Sequence, residues 1–554
     1  MPAPVRIVFL GGLGEIGRNC FCLDVDGRIV VVDCGLMFPS AEEMPGIDLV
    51  LPDFTYLREN ADRVDGIVVT HGHEDHVGGL AYLLRDVPAP IYGSALSLGL
   101  ARNRIDEAGL LGRTELIPVA DSEVRAIGPV QCEFIPVTHS VPRAVAVAYS
   151  TPAGTILHTG DFKLDLTPVD GRRTDLGRLG EIARQGVRML LSDSTNAERP
   201  GFTRSESTIG VAMRDLFRQY QDRRFIVASF ASHLHRVEQV AREAIAAGRL
   251  VAFLGRSMSQ NVTLAREMGL LDLPVDRIID PEDVARYAPG ETCVVCTGSQ
   301  GEPMSALALM ASHEHKFMKV TSDDVVVLSA HAIPGNEPGV HRVIDGLHRA
   351  GAVVLHEATA TVHVSGHASS EELKFMIGLV DPEWFIPVHG EYRHLVHHAE
   401  LATEMGIPRE RILVCEDGDL VTLRERGVEV ERRAVPAGYQ YVDGIAGDIS
   451  HGVLRDRRTL GEEGFVVVIV TVDAGTGEVV TGPEIVTRGW VYEAEADALL
   501  EDAKAAVRDA LPVPDEDGAV DFDLLRRNAR RALGRLINER TRRRPAVIPV
   551  ILEV

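Results

Sequence analysis

Short apolar runs, each closed by glycine, aspartate or threonine, dominate the first 200 residues. RIVFL, NCFCLDV, GRIVVVDCG and GIVVT (66–70) have the length and β-branched content of strands. QCEFIPV, AVAVAYS, GTILHTG and VRMLLSD extend the same pattern. These runs are apolar almost throughout, without polar alternation, which fits a sheet covered on both faces. Helical spacing predicts helices over 77–86, 94–108 and 176–186. From 201 to 350 the pattern changes. Helical stretches alternate with FIVAS, LVAFLG, CVVCTG and DVVVLSA, as in a parallel βα sheet. Residues 351–425 resume the first style and end in an expected hairpin, RILVCEDGDLVTLRE. The economical reading is a domain split by an insert: 1–203, an inserted 204–350, and a return over 351–425. A linker is expected at 426–455. A small α/β unit follows at 456–554: GFVVVIVTVD, a turn at AGTGE, VVTGPEIVT, two helices and AVIPVILEV.

Composition narrows the function. The chain has 554 residues, and 57 basic against 81 acidic side chains give a net charge of −24. At roughly 150 residues per domain, three or four domains are expected. A protein that simply coats nucleic acid is usually basic. A polyanionic substrate must therefore meet a local basic surface or bound cations here. The longest clear apolar run, FVVVIVTV (465–472), is far short of the ~18 residues of a membrane span. The opening MPAPVRIVFLGGLGE lacks a secretory pattern. A cytoplasmic protein without membrane contact is the expectation. Seven scattered cysteines argue against a disulfide scaffold. Cys293 and Cys296 form one C-x-x-C, which ETCVVCTGS assigns to a buried strand rather than to a metal or redox site. Gly12, Gly14 and Gly17 match a dinucleotide fingerprint, but a helix must follow it, and NCFCLDVDGRIVVVD reads as a hairpin.

The strongest chemical signal is HGHEDH (71–76). His71 and His73 stand two apart at a strand end, so their rings project the same way. Asp75 and His76 follow at an expected helix start. Imidazole nitrogen and carboxylate oxygen suit zinc and also manganese. The theme of a ligand type at a strand end recurs at His139 (QCEFIPVTHS), Asp161 (GTILHTGD) and His389 (EWFIPVHGE). Asp33, ending GRIVVVDCG, is either a carboxylate that fixes a histidine ring or a plain turn residue.

HGHEDH, VTHS, TGDF and PVHGE, in that order, resemble the two-metal hydrolases of the metallo-β-lactamase fold. The inserted block with SDSTN (192–196), SGH (365–367) and PVHGE (387–391) resembles its β-CASP branch of nucleases. GGLGEIGRN and the α/β tail narrow the resemblance to ribonuclease J. The resemblance implies an αββα sandwich with an inserted parallel β-CASP domain and a small C-terminal α/β domain. It implies that His71, His73 and His139 hold one cation. Asp75, His76 and His389 hold the other, and Asp161 bridges them. Two such ions ~3.5–4 Å apart activate water and stabilise both oxygens of an in-line displacement. Zn²⁺ is the first expectation, with Mn²⁺ or Mg²⁺ as alternatives.

The resemblance also implies roles outside the ligands. His363, Val364, Ser365, Gly366, His367 and Ser369 would contact substrate phosphate at a helix start. His367 would protonate the leaving 3′-oxygen, Asp193 would hold His367 or a metal ligand, and Asp75 would also orient the attacking water. Ser232, His233 and Asn336 are expected along the RNA path, against ordinary loop chemistry. Gly46, Asp48 and Asp443 would form a structural calcium site, or be solvated turn residues. Segment 524–545 carries nine arginines and one glutamate. It would attract RNA phosphate, support a partner surface, or simply balance an acidic chain. The implied activity is 5′-to-3′ exonuclease action on 5′-monophosphate single-stranded RNA, with endonuclease cleavage, in mRNA decay and rRNA maturation. The implied assembly is a homodimer or homotetramer. A DNA nuclease of the same branch, a small-molecule metallohydrolase and a non-catalytic RNA-binding scaffold are the competing readings.

Overall fold

Alternate side chains along the central strands of the larger unit enter two different cores, which is why those strands read as apolar on both faces. The computed structural model describes residues 4–554 except 40–43, 303, 334, 426, 445–447, 477, 491–495 and 512–520. Two compact units emerge: Met1–Phe38 with Leu49–Gln440, and Pro39–Asp48 with Tyr441–Val554.

In the larger unit, one sheet has eight strands. Their order is Val428–Glu431, Leu420–Leu423, Val5–Gly11, Cys20–Val25, Arg28–Val32, Val64–Val68, Ile91–Gly93 and Leu116–Pro118. A second sheet has six: Trp384–Val388, Val187–Asp193, Gly154–His158, Val145–Thr151, Val130–Pro136 and Val124–Ile127. Ile7, Phe9, Leu23 and Val30 of the first sheet share one buried core with Phe134, Val147, Ile156 and Leu191 of the second. The intervening Ile135, Ala146, Leu157 and Leu190 face the other way, against helices Leu176–Gln185, Ser370–Val380 and Tyr392–Glu404. Fully burying one such aliphatic side chain contributes about 1.5–3 kcal/mol, so side chains on both faces of these strands stabilise the fold.

The insert is a parallel sheet in the order Leu250–Leu254, Thr292–Cys296, Arg224–Ala228, Asp324–Leu328 and Val353–Leu355. Phe225 and Val227 enter one core and Ile226 and Ala228 the opposite one. Cys293 and Cys296 lie fully buried in its second strand, and burial pushes the Cys293 thiol up to about 12. After Gly17 the chain forms the hairpin Cys20–Val25/Arg28–Val32, with no helix to complete a dinucleotide site.

One expectation is corrected. The hairpin near 411–425 is displaced: Leu420–Leu423 pairs with Val428–Glu431 instead of with 412–415. Backbone N–H of Leu413 instead donates to Phe385 O at 2.9 Å, docking that segment beside the second sheet. The stretch expected as a linker thus supplies a strand of the first sheet.

The smaller unit centres on Phe465–Val472, between antiparallel Val479–Arg488 and parallel Ala546–Glu553. Val466, Val468, Val470 and Val472 pack on Ala503, Val507, Leu525, Ala529, Leu533 and Ile537. The helix-side contacts recur every three to four residues, one stripe of each helix. The AGTGE turn is partly outside the described residues; within it, Asp473 accepts the Gly475 and Thr476 N–H groups at 2.9 and 2.7 Å. No described helix is long and apolar enough to cross a membrane.

Candidate metal centre

Strands Gly154–His158, Val187–Asp193 and Trp384–Val388 are parallel neighbours. Their C-terminal ends therefore deliver Asp161, Asp193 and His389 to one edge of the second sheet. From the first sheet, Val64–Val68 runs on to His71 and His73. His73 precedes the short helix Glu74–Val77, whose first turn carries Asp75 and His76. The Asn19 backbone N–H and side-chain Nδ2 both donate to Asp75 O, at 3.0 and 3.1 Å. Gly35 permits that approach, since a Cβ there would lie 1.6 Å from the same oxygen.

Three overlapping groups result: His71, His73, His139 and Asp161; Asp75, His76, Asp161 and His389; and Asp161, Asp193, His367 and His389. Within each, one ligand atom per residue lies within 4.8 Å of the others. His73 Nδ1 is 3.1 Å from His71 Nε2 and 3.2 Å from His139 Nε2. Asp161 Oδ2 lies 3.5 Å from His71 Nε2, 3.3 Å from His76 Nε2 and 3.8 Å from His139 Nε2. That oxygen is buried and has no hydrogen-bond partner among the described residues. Converging imidazole nitrogens around an orphaned buried carboxylate oxygen fit divalent cations, which would satisfy them all.

The two sides of the pocket differ electrically. Burial, with mutual repulsion between imidazoles, lowers His71 and His139 well below their usual range and His73 to about 4. These rings are neutral, as ligands must be. Burial also disfavours charge on His76, His367 and His389, but nearby carboxylates outweigh it. Asp161, Asp75 and Asp33 raise His76, Asp193 and Asp161 raise His367, and His389 rises to about 10.

Further partners orient these rings. Asp33 Oδ2 is 2.8 Å from His76 Nδ1, and Asp33 also accepts the Thr70 N–H and hydroxyl at 2.8 and 2.9 Å. Asp33 thus faces a ligand-type ring and is more than a turn residue. Asp193 reaches both His367 Nδ1 (2.8 Å) and His389 Nδ1 (3.3 Å). Thr195 Oγ1 lies 2.6 Å from His389 Nδ1. Sequence reasoning passed over Thr70 and Thr195. Thr70 adjoins His71 after a strand, and Thr195 lies inside SDSTN, two residues after Asp193.

Of the remaining candidates, Ser365, Gly366 and His367 border this pocket. Gly366 O is 2.8 Å from His139 Nδ1, and a Cβ on Gly366 would fall 2.7 Å from the same ring. His363 is half-buried, its Nδ1 without a hydrogen-bond partner among the described residues. Ser369 opens helix Ser370–Val380, its N–H donating to Glu372 Oε2 at 2.8 Å and its hydroxyl 2.9 Å from Thr203 Oγ1. Ser232 is half-buried at the start of helix Leu234–Ala246. Asn336 opens helix Glu337–Arg349, its Nδ2 3.4 Å from Gln300 Oε1.

Three expectations change. The Val364 side chain packs into the insert's core, so only its backbone could serve a phosphate. His233 is buried against Glu206, Nε2 to Oε1 3.5 Å, so it lines no open path. The calcium site is replaced by a guanidinium: Arg457 donates to Gly46 O at 2.9 Å and pairs with Asp443, while Asp48 accepts the Gly444 N–H at 2.6 Å. A fixed organic cation already meets the Gly46 and Asp443 oxygens. Along helix Phe522–Thr541 the apolar stripe faces the sheet and most arginines face outward, several paired with Asp502, Asp521 and Asp523.

Sandwich, insert and strand-end histidines together define a hydrolase of the metallo-β-lactamase superfamily, whose family model matches residues 13–195. Residues 353–412 match a Zn-dependent metallo-hydrolase RNA specificity domain. Residues 222–347 match the ribonuclease J β-CASP domain, and 452–554 the ribonuclease J C-terminal domain. Ribonuclease J2 of Bacillus subtilis is 41% identical over 551 residues, covering 99% of both chains. Ribonuclease J of Mycolicibacterium smegmatis is 40% identical over 555 residues, covering 100% of this chain and 98% of that one. Ribonuclease J 1 of Streptococcus pyogenes is 38% identical over 552 residues. A crystal structure of a protein of unknown function from Enterococcus faecalis shares the fold, with TM-score 0.53 and 15% identity over 76% of this chain and all of that one. The chain belongs to the ribonuclease J family of metal-dependent hydrolytic ribonucleases.

Proposed function

We propose that this chain degrades single-stranded RNA from the 5′ end, favouring a 5′-monophosphate, and also cuts internally. Cytoplasmic mRNA decay and rRNA maturation, by a homodimer or homotetramer, are the roles this reading assigns. The observation that carries it is the unpartnered Asp161 oxygen shared by two ligand sets beside His367. His71, His73 and His139 would hold one cation, and Asp75, His76 and His389 the other, with Asp161 common to both. Bound there, divalent cations lower the pKa of water to about 7 and neutralise phosphodiester charge. That answers the puzzle of an acidic protein acting on a polyanion.

The chain's own residues do the rest. His367 remains 19% exposed in its side chain, and Asp193 grips its Nδ1. Its other nitrogen is free to donate a proton to the leaving 3′-oxygen, leaving 5′-phosphate and 3′-hydroxyl products. His139 anchors Gly366 O, keeping the SGH loop against the pocket.

The test uses RNA labelled at either end, bearing mono- or triphosphate, with Zn²⁺, Mn²⁺ and Mg²⁺ titrated separately. Release of mononucleotides from the 5′ end, faster with monophosphate, is expected. Cleavage of single-stranded DNA in preference to RNA, or no diester cleavage with any of the three metals, would contradict it.

A further inference from the structure

Two buried cations that no step above uses lie behind the SGH loop. Lys163, two residues after Asp161, is 1% exposed, and its Nζ donates to Ser365 O at 3.2 Å and Arg204 O at 3.1 Å. Arg236, on the insert's helix Leu234–Ala246, is fully buried and grips Glu206 with two bonds of 2.5 and 2.8 Å. Its remaining donors reach Ser329 O at 2.9 Å, Val362 O at 3.3 Å and Val364 O at 3.4 Å. Ser329 Oγ also donates to Val362 O at 2.6 Å. On the far side, Thr203 Oγ1 and Asn196 Nδ2 donate to His367 O at 2.7 and 3.1 Å.

The carbonyls of Val362, Val364, Ser365, Gly366 and His367 are thus each held by a side chain from outside the loop. A trans peptide is planar, so its N–H points opposite to its carbonyl. Tying Val364 O to Arg236 and Ser365 O to Lys163 aims the N–H groups of Ser365 and Gly366 away from those cations. Among the described residues, no hydrogen bond engages either N–H. Two free N–H groups on consecutive residues suit an anion. Holding a loop this way costs a buried charge, and a buried cation persists where its partners satisfy it.

We propose that Lys163 is a positioning residue. By holding Ser365 O it sets the SGH loop so that its free amides meet a substrate phosphate and His367 meets the leaving oxygen. The inference rests on the nuclease reading above.

Its test compares 5′-monophosphorylated RNA with bis(p-nitrophenyl) phosphate, whose leaving group departs without a proton and which lacks neighbouring phosphates. In Lys163→Met, kcat/KM on RNA should fall roughly 10–100-fold, the usual cost of an outer partner, while the nitrophenyl diester stays within about twofold. Bound metal should match the wild type. Lys163→Arg, which keeps a donor and a charge, should recover most RNA cleavage. If Lys163→Met does not fold, Thr203→Val, which removes the hydroxyl that meets His367 O and Ser369 Oγ, should show the same selective loss. A parallel fall on both substrates, or undiminished RNA cleavage, would overturn the assignment. Failure of the wild type on RNA would instead defeat the nuclease reading itself.

Discussion

The two sides of the pocket use the same residue types, and in the metal-free protein they are biased toward opposite charge states. His71, His73 and His139 face one another and Asp161, with Asp75 also acting on His73, and burial outweighs these carboxylates. His76, His389 and His367 face Asp33, Asp75, Asp161 and Asp193, and the cation is favoured. What an imidazole does in a buried site is set by the count of carboxylates around it, not by burial alone. Asp161 belongs to both sides, and Thr70 touches both, its hydroxyl 2.9 Å from Asp33 Oδ2 and 3.1 Å from His71 Nδ1.

The contrast can be broken most severely at its shared member. Asp161→Ala should abolish RNA cleavage and empty both cation positions, measured by elemental analysis of the purified protein. Next, His367→Ala should cut RNA cleavage by about 10²–10⁴-fold, the range for loss of a general acid. It should leave the metal content and the nitrophenyl diester largely untouched. A single-side disturbance follows: Asp33→Asn should weaken one cation by about 10–100-fold and spare the other, read by metal titration with a chromophoric chelator.

The smallest effect is on stability. In chelator-treated protein, the first side has lowered pKa values, so its contribution is lost as pH falls from about 6.5 to 4. The second side has raised values, so its contribution is lost as pH rises from about 6.5 to 10. The thermal midpoint of the metal-free protein should therefore be highest near pH 6.5. A midpoint that rises steadily to pH 10 would contradict the charge assignment.

Much of this was legible from residue order. Apolar runs ending in His, Asp or His–Gly–His read directly as strands delivering ligands, because a strand end points its next side chains in a definite direction. The insert was legible because its βα alternation differs from the flanking style. The partners that orient rings were less so. Thr70, Thr195 and Asn19 are ordinary residues whose roles depend on contacts across 37 to 194 positions. Lys163 carried a faint signal, as one of only five lysines in a chain that draws its cations from arginine. His233 misled because a histidine in a turn reads as exposed, whereas the Glu206–Arg236 pair draws it inside. The Gly46/Asp443 oxygens misled because Arg457, 14 positions from Asp443 and 411 from Gly46, could not be seen to fill the gap. The hairpin near 420 was misplaced because residues 412–415 are as apolar as a strand yet dock by a single bridge, Phe385 to Ile412.

The central claim is that this pocket holds paired divalent cations and that RNA hydrolysis depends on them. Anomalous diffraction from crystals of catalytically competent protein, collected at the zinc and manganese edges, tests it most directly. The account predicts two peaks per chain, one against His71, His73 and His139 and one against Asp75, His76 and His389, both beside Asp161. Competent protein with no peak in the pocket, or with a single ion away from Asp161, would contradict it.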